Sequence, residues 1–545
     1  MRFLPIVSIL AFSLTTAAAA QSSGEAEKGG GKAGKSVEAL HKEAVAEEAE
    51  AGWARAPVEE REVVTRHSIR VGGKTLDYEA TAGTLTLRNA VGKPEASIFY
   101  TAYTLDGTKP GTKRPIMFFF NGGPGSASLW LHMGSFGPMR LTTGNPEYVR
   151  PAPFDFGPNP DTLLGKTDLV FIDAPGAGYS RPVRDAKPSD FYGVDQDVDA
   201  FTRAILRYVT KFGRWNSPKF LLGESYGTLR SGALAYQLQD RGMALNGVIL
   251  LSSIMNYGVR QPGFDQIYLT YLPSYAATAW YHDQLPNRPA SVEEAVAAAR
   301  QFAEGPYAAA LAKGQTISLE ERDAVASQMS ELTGLPVDFI KRANLRVDLS
   351  RFRKELLRDE RLTVGRFDSR YTGVDVDAAG ESPDFDASSE AISGAYIGSL
   401  NGYLTHQLGY ETDMTYRLSA RDAPGFEWDW SHEAPGTRRE QTTPNTAVDL
   451  SVAMRTNPYL KVLSLNGYYD MATPFYGTEY DLRHMMLEPA QQGNLEFLYY
   501  PAGHMTYLNP EALRQMRVDL GRFIDEAVAE ARSATPPQPP AIAAP

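Results

Sequence analysis

This sequence contains no cysteine among its 545 residues. No disulfide can staple it, so its stability rests on core burial and hydrogen bonding. Basic residues are outnumbered, 54 against 65 acidic ones, and a net charge of −11 argues against a non-specific nucleic-acid binder, which presents a basic face. Past the first residues no segment is apolar for long enough to span a bilayer, and no internal repeat is apparent. Histidine is scarce, with 8 in all, which keeps the search for a general base short. What remains is ordinary for a globular protein: 43% hydrophobic and 22% charged residues can bury a substantial core. At this length the expectation is one α/β core carrying one large insertion.

Residues 1–14 give one positive charge and a short apolar run, and Ala18 to Ala20 before Gln21 offer a small-residue cleavage pattern. The run is shorter than the roughly 18 to 20 residues of a spanning helix. Residues 1–20 are therefore expected to be a cleavable signal peptide, leaving an exported protein, periplasmic or secreted, with no integral membrane segment. A bacterial periplasm fits export without cysteine best. Residues 21–60, rich in Gly, Ala, Lys and Glu, read as a flexible linker, and residues 532–545 as a disordered Pro-rich tail.

From Val63 to Tyr103 the pattern alternates, with Gly72 and Gly73 at a tight turn, which predicts N-terminal antiparallel strands. Continuous apolar runs follow at 116–120, 169–172, 220–222, 248–251, 462–465 and 495–500. Helical patterns such as Val194, Val198, Phe201, Ile205 and Val209 separate them. Such runs suit strands buried on both faces, so the fold class is α/β, a mostly parallel central sheet flanked by helices. Between 257 and 443 the strand rhythm gives way to helical stretches at 291–304, 319–333 and 349–359, with a capping box at Ser291 and Glu294 and a helix end at Gly334 before Pro336. The expected organisation is a core at 61–256, a helical cap insertion at 257–443 placed as a lid, and the core resumed at 444–531.

Gly223 to Gly227 match the G-x-S-x-G nucleophile elbow, after an apolar strand and before a helix. A serine hydroxyl needs a base and a carboxylate to orient that base. His504 follows the run 495–500 and Asp470 follows the run 462–465, so both fall on loops at strand ends. The order Ser225, Asp470, His504 is that of the α/β-hydrolases. Asn121 to Ser126 form a glycine-rich loop after the strand 116–120, and the N–H groups of Gly123 and Tyr226 are the candidate oxyanion hole. A phosphate-binding role for this loop is weak, because no Gly-Lys-Ser/Thr follows and Pro124 removes a donor.

Together Asn121 to Ser126, Gly223 to Gly227, Gly467 to Asp470, Gly503 to Met505 and Asp173 to Ser180 resemble, in order and spacing, a serine carboxypeptidase of the α/β-hydrolase class. That resemblance covers residues 90–275 and 445–530. It implies that Glu224, with Asn121 and the Gly122 N–H, binds the free carboxylate at a peptide's C-terminus. Two carboxyl groups share a hydrogen bond only if one is protonated, so capture of such substrates is expected to favour acidic pH. Phe119 and Ser135 stand where the family usually has a tryptophan and a second glutamate, and Ser126 replaces its loop cysteine.

The expected activity is a serine-type carboxypeptidase acting on peptides through an acyl-enzyme, with no cofactor and no metal. An esterase or acyltransferase on the same fold is the alternative, and a non-catalytic periplasmic binding protein a remoter one. Oligomeric state is not legible. Tyr271, Tyr275, Trp280 and Tyr281 suit either cap packing or a pocket wall. Asp429 and His432 have metal-pair spacing but no third ligand. The charged run 351–361 reads as a solvated helix face.

Overall fold

The computed structural model describes residues 56–423, 426–437 and 439–532. The expected signal peptide, residues 21–55 of the expected linker, and the tail from 533 lie outside the described residues. Glu60, which closes the expected linker, is tied down. Its carboxylate meets Arg207 and Lys211 at 2.8 and 2.7 Å and accepts the Thr86 N–H.

Alternating sequence gives β1 (Glu62–Val71), β2 (Lys74–Arg88) and β3 (Pro94–Leu105), paired antiparallel. Gly72 and Gly73, at φ 55 and 81, make the turn between the first two, a conformation that two side chains would oppose. The continuous apolar runs become β4 (Ile116–Phe120), β5 (Asp168–Ile172), β6 (Lys219–Ser225), β7 (Gly247–Ser253), β8 (Lys461–Gly467) and β9 (Leu495–Tyr500). The sheet runs β1-β2-β3-β5-β4-β6-β7-β8-β9 and is parallel from β5 onward.

Strand geometry explains the unbroken apolar runs, since successive side chains point to opposite faces and both faces are covered. Met117, Phe119, Phe171, Leu222, Leu251 and Leu465 join one core with Leu513, Met516, Leu520 and Phe523 of the C-terminal helix Pro510–Arg532. Their neighbours Phe118, Phe120, Val170, Leu221, Leu250 and Val462 join the other. That second face is covered by α1 (Val194–Lys211), through Val198, Phe201, Ile205 and Val209, and by α2 (Tyr226–Asp240).

Between β7 and β8 stand α3 (Gln266–Tyr281), α4 (Val292–Phe302), α5 (Leu319–Thr333), α6 (Leu349–Glu355) and α7 (Ser393–Gly402). Ser291 caps α4 by accepting the Glu294 N–H, while Glu294 reaches back to Ala290 rather than to Ser291 itself. Gly334, at φ 71, ends α5. These helices have a separate core in which Tyr275 lies 3.9 Å from Phe352, stacked, and Tyr271 packs on Tyr275, so both tyrosines serve cap packing.

Two expectations need correction. Among the described residues from 408 to 446 the chain is mostly irregular, with a 3₁₀ turn at Ala420–Asp422, because it spends its backbone hydrogen bonds on core loops. The run 351–361 is not a solvated face: α6 stops at Glu355, and Arg353 and Lys354 are buried. Lys354 Nζ meets Asp375 at 2.5 Å and Arg353 Nε donates to the Val364 carbonyl, because chain from 363 onward folds over that side.

Candidate active site

β6 passes into α2 through Ser225, whose φ of 61 and ψ of −130 are held by the tight strand-to-helix turn. For a residue with a side chain such a backbone costs about 1–3 kcal/mol, a cost that persists only where the surroundings enforce it. Space enforces it here. A Cβ on Gly223 would lie 2.2 Å from the Gly227 carbonyl oxygen, and one on Gly227 would lie 2.8 Å from that of Phe120. Close approach, not positive φ, is what both motif glycines supply.

The loops after β8 and β9 bring Asp470 and His504 together, both almost fully buried. His504 Nδ1 lies 2.7 Å from Asp470 Oδ2. Because a carboxylate only accepts, that contact assigns the hydrogen to Nδ1 and leaves Nε2 as the basic nitrogen. Asp470 Oδ1 accepts the Ala472 and Thr473 N–H groups at 2.8 and 2.9 Å. The Thr473 hydroxyl lies 2.8 Å from both Asp470 Oδ2 and the Ser252 carbonyl. His504 is fixed on further sides: its N–H donates to the Phe367 carbonyl, its carbonyl accepts the Ser252 hydroxyl, and its ring packs on Phe367 at 5.1 Å. Ser225 and His504 line one cleft of about 390 Å³, together with Asn121, Gly122, Gly123 and Glu224.

The glycine loop after β4 docks on the elbow. A Cβ on Gly122 would lie 2.4 Å from the Tyr226 nitrogen, so only glycine allows this approach, and Gly123 follows at φ 105. This contact sets Gly122 directly against Tyr226, with Gly123 the next residue of the loop. The loop is strapped from outside, with Ala127 N–H donating to Leu418 and Ala420 N–H to Gly125, at 2.9 and 2.7 Å. From beneath, Arg230 donates to the Asn121 carbonyl at 2.8 Å while forming a two-pronged, fully buried pair with Asp197. Asp173 joins the loop to the strap, accepting from the Ser128 N–H and the Tyr416 hydroxyl, and burial pushes its carboxyl up to about 6.

Glu224 is 3% exposed. Its Oε2 accepts Asn121 Nδ2–H at 3.0 Å and the Tyr507 hydroxyl at 2.9 Å. Burial raises its carboxyl to about 7 even though His504 and these two donors pull the other way. Both donors converge on Oε2, so Oε1 is the oxygen suited to carry the proton. Asn121 Oδ1 accepts the Leu131 N–H at 3.0 Å, which fixes the amide with its Nδ2 turned toward Glu224 and Tyr507.

No second glutamate supports Glu224 in the way the family resemblance would have it. Ser135 turns its hydroxyl back to the Leu131 carbonyl at 2.6 Å, and Phe119 stacks on Phe171 at 4.6 Å in the core. Tyrosines stand nearby instead: Gly134 abuts the Tyr396 hydroxyl and the Tyr507 ring. Sequence reading missed Tyr507 and Thr473. Tyr507, three residues after His504, reads as one more core aromatic. His432, which shares metal-pair spacing with Asp429 in sequence, sits between Asp195 at 2.6 Å and Asp449 at 3.0 Å. Burial opposes its charge, but the two carboxylates prevail and raise it to about 9.

A mostly parallel sheet with a serine elbow, an acid and a histidine at the carboxyl ends of β6, β8 and β9 defines an α/β-hydrolase. The sequence model of the family described as serine carboxypeptidase matches residues 73–498, and the chain belongs to that family. Among curated relatives it is similar to serine carboxypeptidase-like 51 of Arabidopsis thaliana, 31% identical over 144 residues that cover 25% of this chain and 28% of that protein. It is also similar to the pheromone-processing carboxypeptidase KEX1 of Saccharomyces cerevisiae, 26% identical over 116 residues, 21% of this chain and 15% of that protein. The matched stretches thus span less than a third of either relative. The crystal structure of the yeast prohormone-processing enzyme KEX1 aligns over 82% of this chain and 92% of that one, with 12% identity and a TM-score of 0.46. Among the described residues no helix is long and apolar enough to cross a membrane.

Proposed function

We propose that this protein removes C-terminal residues from peptides by serine acyl transfer. The observation that carries this reading is the buried Glu224, adjoining the elbow serine, bonded to Asn121 and Tyr507 and raised to about 7. A carboxyl that stays protonated near neutrality can donate a hydrogen bond to another carboxylate, and a peptide's C-terminus is one. In this reading Glu224 Oε1–H and the Asn121 amide hold that terminus, with the Gly122 N–H as a further donor.

Ser225 Oγ then attacks the carbonyl carbon of the last peptide bond while His504 Nε2 takes its proton. Asp470 holds the Nδ1–H and stabilises the imidazolium as it forms. The Gly123 and Tyr226 N–H groups face the negative charge that develops on the carbonyl oxygen. His504 passes its proton to the leaving amine, the C–N bond breaks, and the C-terminal amino acid departs. Water, deprotonated by the same histidine, cleaves the acyl-enzyme and restores Ser225.

Substrate capture requires protonated Glu224, so activity on peptide acids belongs to pH values below about 7. Residues 257–443 would act as the cap over the cleft, to which Phe367 and Arg421 contribute. The apolar N-terminus and small-residue pattern at 18–20 support export of the mature enzyme to a periplasm or beyond. Digestion of a peptide mixture by purified enzyme, followed by mass, tests the proposal. Stepwise loss of single C-terminal residues is expected, and internal cuts would overturn it.

A further inference from the structure

The chain is acidic overall, yet its cleft is lined by three arginines, Arg260, Arg366 and Arg421, in company with Ser225 and His504. Arg260 is engaged, donating to the Ala472 carbonyl at 3.0 Å. Arg366 and Arg421 make only ring contacts with their side chains among the described residues, to Phe367 at 5.1 Å and Phe426 at 5.7 Å. No carboxylate among those residues lies in ion-pair contact with any of the three. Asp422 lines the same cleft, but its carboxylate accepts the Ser419 N–H. Guanidinium groups gathered in a concave, partly desolvated site, without carboxylate partners, form a place where an anion is favoured. All three act on Tyr257, whose hydroxyl is pushed up by burial and drawn back by these charges, and Arg366 and Arg421 also oppose each other's charge.

Their side of the serine follows from the ring contacts. Tyr226, first residue of α2, packs its ring on Tyr257 at 6.4 Å and on Trp430 at 6.2 Å. Tyr257 in turn lies 5.4 Å from the Arg260 guanidinium. Arg260 thereby belongs to the helix side of Ser225, and Arg366 and Arg421, whose charges act on the same Tyr257, lie toward it, while Glu224, bonded to Asn121 and Tyr507, marks the strand side. A peptide whose terminal carboxylate lies on Glu224 runs back over Ser225 toward the arginines.

Resting on the proposed carboxypeptidase reading, we propose that this enzyme prefers peptides with an acidic side chain, aspartate or glutamate, just upstream of the residue it removes. Arg366 and Arg421 meet that carboxylate, and Arg260 adds charge beside them. The long, flexible guanidinium side chains reach an acidic group on a residue whose backbone is held at the serine. Neutral and basic residues at that position gain nothing there, and a lysine meets like charge.

Two substrate series separate this proposal from the reading beneath it. In N-blocked dipeptide acids X-Phe, Glu at X is expected to give about tenfold higher kcat/KM than Gln, with Lys lowest, because a charge-assisted contact replaces a neutral one. The preference should shrink as salt rises, and the double variant Arg366→Gln/Arg421→Gln should bring the Glu to Gln ratio close to one. In the second series, p-nitrophenyl esters of N-blocked Glu and Gln probe the acyl side with no terminal carboxylate at all. A Glu preference in the esters with no cleavage of the dipeptide acids would sink the carboxypeptidase reading and leave the arginine site standing. Equal rates for Glu and Gln in both series, or an acid preference found only in Phe-X peptides, would overturn the arginine site itself.

Discussion

Replacing Glu224 by glutamine removes one ionisation and little else. The amide is nearly isosteric: its oxygen can accept from Asn121 and Tyr507 as Oε2 does, and its NH₂ takes the place of the protonated Oε1. The side chain is 3% exposed, so solvent screens it little. Its carboxyl moves from an ordinary 4.5 when unfolded to about 7 when folded. Below 4.5 both states are protonated and the two proteins should be equally stable from this source. As pH rises from there, the unfolded wild type releases a proton that the folded form keeps, so wild-type stability falls until about pH 7 and is flat above it. The loss is about 3 kcal/mol, at roughly 1.4 kcal/mol per pH unit. Glu224→Gln lacks that loss and should gain up to about 3 kcal/mol over wild type at pH 8, with no gain at pH 4.5. Denaturant unfolding at both pH values reads it directly. The same variant should keep kcat/KM for a peptide acid level above pH 7, where the wild type falls about tenfold per pH unit. An unchanged gap between the two proteins at pH 4.5 and pH 8, with parallel alkaline falls in activity, would refute the claim that Glu224 is held protonated.

Other residues give sharper structural tests. Arg230→Met leaves Asp197 charged and unpaired in the core and should cost about 3–5 kcal/mol, while adding Asp197→Leu should restore most of it; chemical denaturation of the single and double variants decides. Gly122→Ala drives a methyl to 2.4 Å from the Tyr226 nitrogen, so turnover should drop at least about a hundredfold with the fold intact by circular dichroism. His432, raised to about 9 between Asp195 and Asp449, contributes stability that is fully present below its ordinary 6.5 and lost as pH rises through about 9. His432→Gln should therefore destabilise at pH 6 and matter little at pH 10, as thermal unfolding across that range would show.

The parallel sheet was legible because its strands are buried on both faces, which writes them as unbroken apolar runs such as 116–120 and 248–251. Ser225, Asp470 and His504 were legible for a related reason: each stands just past or at the end of such a run, where chemistry in this architecture is placed. Side chains that act across long separations left no local mark. His432 finds Asp195 across 237 positions, and Tyr507 reaches Glu224 across 283. Arg366 and Arg421 reach the cleft from the insertion, where sequence shows only isolated charges. The irregular course of the described residues between 408 and 446 was hidden similarly, since their backbone partners include core loops as well as near neighbours.

In the proposed function, Glu224 is what makes the protein a reader of peptide ends. Rates of cleavage for one N-blocked dipeptide acid and its C-terminal amide, measured at pH 5.5 with Ser225→Ala as the control, test it most directly. The acid should be cleaved at least about a hundredfold faster than the amide, the worth of a charge-assisted contact inside a buried site, and the Ser225→Ala protein should cleave neither. Equal rates for acid and amide, both abolished in the control, would leave a serine hydrolase in which Glu224 does not recognise the substrate's end.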